Sequence, residues 1–121
     1  TKNVIMIADD DLFVRKVIIS ALPDAQIVEI TDGAEVEKIY REVMPDIVFL
    51  DIHLPNISGM DLIHPLLRAD QGAYIVMLSA DSSEENVKTA KVRGARGFLT
   101  KPFEKSRIMH YYTSCPTVKF S

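Results

Sequence analysis

"DIVFLD", residues 46–51, sets four consecutive apolar residues between two aspartates. Pro45 precedes the run, and the turn-rich "IHLPNISG" follows it. A short apolar run between such signals, with β-branched and aromatic residues, reads as a strand over 46–50 buried on both faces. A strand of that kind needs equally apolar neighbours and helices covering both sides. Asp51 then stands alone at its carboxyl end.

Working outward, the neighbours are there. Val4–Ala8 and "YIVMLS" (74–79) are two more apolar strands, and Gln26–Ile30 and "GFLT" (97–100) are two further strands. Segments of helical period separate them. Val14, Val17, Ile18 and Ala21 share one face of a helix that Pro23 ends, and Val36, Ile39, Tyr40 and Val43 repeat the spacing up to Pro45. Thr31, Asp32 and Gly33 make a turn and a cap before that second helix. Ser58 is the expected N-cap of a third helix carrying Leu62, Ile63, Leu66 and Leu67, which Pro65 should kink or whose start it should shift. Ser82 and Glu85 read as the capping box of a fourth helix ending at Gly94. Its apolar residues are few, mainly Val87, Ala90 and Val92, so weak anchoring and mobility are expected. A fifth helix follows Phe103 as far as about Tyr112. Five βα units in succession imply one domain over 1–121, a parallel sheet with helices on both faces and ligands at the carboxyl ends of the strands.

Composition narrows the function. A net charge of −3 gives no general attraction to nucleic acid or anionic membranes, and no apolar run approaches membrane-spanning length. The single cysteine, Cys115, forms no internal disulfide or zinc cluster and reads as an incidental thiol of a reducing compartment, the cytoplasm.

What remains is a constellation. Asp9 and Asp10 follow the first strand, Asp51 the third, Ser79 closes the fourth, and Lys101 with Pro102 follows the fifth. Three carboxylates in one place repel unless a cation neutralises them. A hard divalent ion such as Mg2+ and the Lys101 ammonium are the two neutralisers. Carboxylates, a metal, a lysine and a hydroxyl make a phosphoryl-handling site, and a carboxylate can itself be the nucleophile. Asp51, alone on the central strand, is the candidate. Asp11 reads as the N-cap of the first helix.

The segments "ADD", "FLDIHLPNISG", "LSA" and "LTKPF", in order and at this spacing, resemble a response-regulator receiver domain of two-component signalling, in its chemotaxis-type single-domain form. The resemblance runs from Val4 to about Tyr112. It implies a flavodoxin-like doubly wound (βα)5 fold with strand order 2-1-3-4-5. It implies Asp51 as phosphoacceptor, and Mg2+ held by Asp9, Asp10, Asp51 and the backbone carbonyl of His53. It implies Ser79 and Lys101 on phosphoryl oxygens, a cis bond from Lys101 to Pro102, a small Ala80 leaving the site open, and Phe98 as the switch aromatic. The donor would be a sensor histidine kinase or phosphotransfer protein. A protein target would bind the face of helix 4, strand 5 and helix 5, to a monomer or a phosphorylation-dependent dimer, with no nucleic acid or membrane contacted. Such a chain is not an enzyme beyond weak self-phosphorylation and self-dephosphorylation. It acts alone or as part of a longer regulator, and the tail "TSCPTVKFS" favours the former.

Two other readings stay open. Asp9-x-Asp11 is loosely similar to haloacid-dehalogenase-type phosphatases, with Asp9 as nucleophile. A pseudo-receiver would keep the fold and take no phosphate. The side chains of His53, His64 and His110 are expected at the surface.

Overall fold

A computed structural model of the chain describes residues 2–120. Five parallel strands form one sheet in the order β2-β1-β3-β4-β5. They are β1 (Val4–Ala8), β2 (Gln26–Ile30), β3 (Ile47–Asp51), β4 (Ile75–Ser79) and β5 (Gly97–Thr100). The helices are α1 (Leu12–Ala21), α2 (Val36–Val43), α3 (Gly59–Ala69), α4 (Glu84–Arg93) and α5 (Lys105–Ser114). This is the flavodoxin-like arrangement.

Alternation along the central strands builds two cores. Met6, Ala8, Val48, Leu50, Ile75 and Met77 face one side, against Val36 and Tyr40 of α2, Leu62, Ile63 and Leu66 of α3, and Ala90 of α4. Ile5, Ile7, Ile47, Phe49, Val76 and Leu78 face the other, against Ile18 of α1 and Ile108 and Tyr112 of α5. β3 and β4 are buried at all five positions, so neither can show the polar alternation of a half-exposed strand.

Several boundaries differ from the sequence reading. β3 begins at Ile47, after Asp46, whose side chain accepts the Val4 N–H at 2.8 Å, and it includes Asp51, which pairs with Leu78 of β4. Tyr74 precedes β4, and α5 continues to Ser114. Pro65 lies inside α3 without shifting its start. Ser58 occupies the cap position of α3 but makes no side-chain cap bond. The capping box at Ser82 is not formed. The Asp81 carboxylate accepts the Ser83 N–H at 2.9 Å, which moves the cap one residue on, and Ser83 Oγ accepts the Asn86 N–H. Gly94 does end α4, with a left-handed φ of 115°. Of α4, only Ala90 is fully buried, and Val92 is 79% exposed. The tail is not a free polar segment: Cys115 and Val118 join the α1/α5 core.

Candidate functional site

Register sets the site. Ala8 pairs with Leu50, Asp51 with Leu78 and Ser79 with Thr100, so the strand ends lie side by side. The residues following β1 and β5 therefore converge on Asp51. Asp9 is fully buried, Asp51 is 3% exposed, and Asp10 is open to solvent. One carboxylate oxygen from each lies within 4.8 Å of the others.

The individual bonds show how the charge is held. Asp9 Oδ1 accepts the Asp11 N–H at 2.9 Å, and Asp51 Oδ1 accepts the His53 N–H at 3.1 Å. Lys101 Nζ sits 2.8 Å from Asp9 Oδ2 and 3.4 Å from Asp51 Oδ2. The first contact is a close ion pair, and it is the Lys101 ammonium that meets the buried Asp9 Oδ2. Lys101 is fixed by its own backbone, whose N–H donates to Ser79 O at 2.8 Å, and the Lys101–Pro102 bond is cis.

Burial pushes the Asp51 carboxyl above its usual range, and the Asp9 charge pushes it further; the His53 N–H and Lys101 oppose both without cancelling them. For Lys101, burial works against the charge and is the largest single influence. The Asp9 and Asp51 carboxylates together outweigh it and hold the ammonium above the ordinary lysine value. Three carboxylates face one ammonium. Hard oxygen donors in that excess suit a divalent cation of the magnesium type.

Other expected residues fall in different places. Ser79 is fully buried, and its Oγ accepts the Asp81 N–H at 3.0 Å rather than touching Asp51. Ala80 is exposed beside the site. Phe98 is half-buried on β5 and packs toward the α2/α3/α4 core. Asp11 caps α1, accepting the Phe13 N–H at 2.9 Å. The side chains of His53, His64 and His110 face solvent.

One residue escaped the sequence reading. Arg15 Nη1 donates to the Asp9 carbonyl at 2.8 Å while its Nε donates to Glu29 Oε1 at 2.9 Å. This brace holds the turn that carries both aspartates. Its signal was Glu29, a charge inside the otherwise apolar end of β2.

A family model for the response regulator receiver domain matches residues 5–113. The chain belongs to that family. This receiver chain is 34% identical over 108 residues to the chemotaxis protein CheY of Listeria monocytogenes, covering 87% of the chain and 91% of the relative. It is also 34% identical to CheY of Thermotoga maritima, covering 87% and 90%. Among solved structures it superposes with a TM-score of 0.86 and 27% identity on a chain of the CheX–CheY–BeF3–Mg complex of Borrelia burgdorferi, over 93% of this chain and 87% of that one. A receiver of CheY type is a phosphoaccepting signalling domain. Among the described residues, no helix of this receiver is long and apolar enough to cross a membrane.

Proposed function

We propose that this receiver, as one unit over residues 1–121, takes a phosphoryl group from a phosphohistidine onto Asp51 and passes the change to a protein partner in the cytoplasm. The observation that carries the reading is the Asp51 carboxylate at the end of the central strand, beside Asp9 and 3.4 Å from Lys101. In the transfer, an Asp51 oxygen forms a bond to phosphorus as the bond from phosphorus to the imidazole nitrogen breaks. Lys101 balances the charge that arrives, and Ser79 Oγ donates to a phosphoryl oxygen once it leaves the Asp81 N–H. Asp9, Asp10, Asp51 and the His53 carbonyl would hold Mg2+, which when bound neutralises carboxylate and phosphoryl oxygens.

The partner surfaces follow from what lies around the site. A cleft of about 510 Å³ lined by Phe13, Val14, Val17, Ala80, Pro102 and Phe103 opens next to Lys101 and suits the donor's apolar helix face. On the output side, movement of Ser79 toward Asp51 frees room for Phe98, and α4, which buries only Ala90, yields most easily. The α4–β5–α5 face then changes shape for its target.

The phosphatase reading is disfavoured because Asp11 is committed to capping α1. The test is incubation with acetyl phosphate and Mg2+ followed by mapping of the modified residue. Phosphate on Asp51 is the expected result. Phosphate on Asp9 overturns the receiver reading, and no phosphate, with no response to beryllofluoride, makes the chain a pseudo-receiver.

A further inference from the structure

The loop between β3 and α3 leads from Asp51 past His53 to Ser58, whose side chain makes no cap bond. The base of the loop is closed by the Gly59 N–H, which donates to Ile52 O at 2.9 Å, and its outer part is held from the side by the loop between β2 and α2. Asn56 Nδ2 lies 2.9 Å from both carboxylate oxygens of Asp32. Asn56 takes a left-handed φ of 69°, which asparagine tolerates far better than most side chains. The main chains also touch. The Gly33 N–H donates to Pro55 O at 3.0 Å, and a Cβ at Gly33 would fall on the Ile57 carbonyl, so only glycine permits the approach.

The Asp32 carboxylate serves both loops. It accepts the Ala34 N–H at 2.9 Å, capping the short 3-10 turn at Gly33–Glu35, while receiving the Asn56 amide. The Asn56 bond first and the Ala34 bond second hold its carboxyl below the usual carboxylate range. At the near end of the clasped loop, the His53 N–H is bonded to Asp51 Oδ1. The clasp thus fixes one end of a segment whose other end orients the central carboxylate.

We propose that Asp32 and Asn56 are positioning residues for the magnesium site: their clasp fixes the loop that brings the His53 backbone to Asp51. The inference rests on the metal reading of the acidic cluster given above. Neither residue touches the acidic cluster, so the effect passes through the backbone, as partners that orient metal ligands do.

Asn56→Gly removes the amide while keeping a residue at home in the left-handed conformation. The exchange of Asp32→Asn with Asn56→Asp rebuilds the clasp in reverse, and the new asparagine oxygen still caps Ala34. The experiment titrates the full, unphosphorylated chain with MgCl2 in a calorimeter and records its melting in chelator. Asn56→Gly is expected to weaken Mg2+ binding roughly tenfold, the lower end of the effect of outer-shell partners. Its melting point in chelator should stay within about 4 °C of the parent's, as for a surface substitution. The exchange should bring the affinity back to within about twofold of the parent's. An affinity within about twofold of the parent's in Asn56→Gly overturns the clasp and leaves the metal site standing. An exchange variant as weak as Asn56→Gly overturns it equally. A parent that binds no Mg2+ overturns the metal reading and the clasp together.

Discussion

Asp46 and Asp51 bracket the same four apolar residues, and in the sequence they are the same group twice. The fold gives them opposite circumstances. Asp46 Oδ2 accepts the Val4 N–H at 2.8 Å, its own N–H donates to Val4 O at 2.8 Å, and its carbonyl accepts the Cys115 thiol at 3.3 Å. Nearby, Asn3 exchanges bonds of 2.8 Å with both the N–H and the carbonyl of Lys119. This amino end of the sheet is closed by mutually satisfied groups. Asp51 is buried beside a second buried carboxylate and shares one ammonium with it; burial first and the Asp9 charge second raise its proton affinity against the pull of Lys101. A satisfied carboxylate holds the sheet together, whereas a crowded one is held in place by the sheet.

The largest test of the contrast is Lys101→Ala. It leaves Asp9 and Asp51 buried without their ammonium, and breaking a buried pair on one side costs about 3 kcal/mol. That loss should show in urea unfolding at neutral pH in chelator, and saturating Mg2+ should recover much of it, since a cation then replaces the ammonium. A loss below about 1 kcal/mol would mean that the acidic end carries no such excess.

Asp46→Ala should cost less, about 1–2 kcal/mol, through the unpartnered Val4 N–H at the start of β1. Mg2+ should restore none of it. Recovery by Mg2+ at Asp46 would break the division between the two ends.

The sheet and the site were legible for one reason: strands buried on both faces carry continuous apolar runs, and polar residues at their carboxyl ends then stand out. Asp9, Asp10, Asp51, Ser79 and Lys101 were readable as candidates because each ends or follows such a run. The order of the strands was not in the periodicity and came through the family resemblance. What escaped was held by side chains meeting across loops. Arg15 joins Asp9 to Glu29, and Asn56 joins Asp32, through contacts that no local period encodes. The cap of α4 moved from Ser82 to Ser83 for a similar reason, because an adjacent Asp81 turn competed for the same amides. Asp46 was misread as a plain strand residue, since its partner Val4 is forty-two positions away.

The smallest effect is also the one of opposite sign. Asp51→Asn should stabilise the metal-free chain at neutral pH. The Asp51 carboxyl is raised above the ordinary aspartate value of 3.8, first by burial and then by Asp9. A group raised on folding favours the native state while protonated, and that contribution is lost as pH rises through its folded value. At neutral pH the ionised carboxylate therefore burdens the fold, and an uncharged amide of the same shape removes the burden. Lys101 keeps its 2.8 Å contact with Asp9, and the amide oxygen can still accept the His53 N–H. The gain should shrink as pH falls through the folded value and vanish below 3.8, where parent and variant are both uncharged at this position. Melting curves of both proteins in chelator, from neutral pH toward pH about 4, measure it. A gain that grows toward acid, or a variant less stable at neutral pH, would show that Asp51 is as well satisfied as Asp46, and the contrast between the two ends of "DIVFLD" would fall.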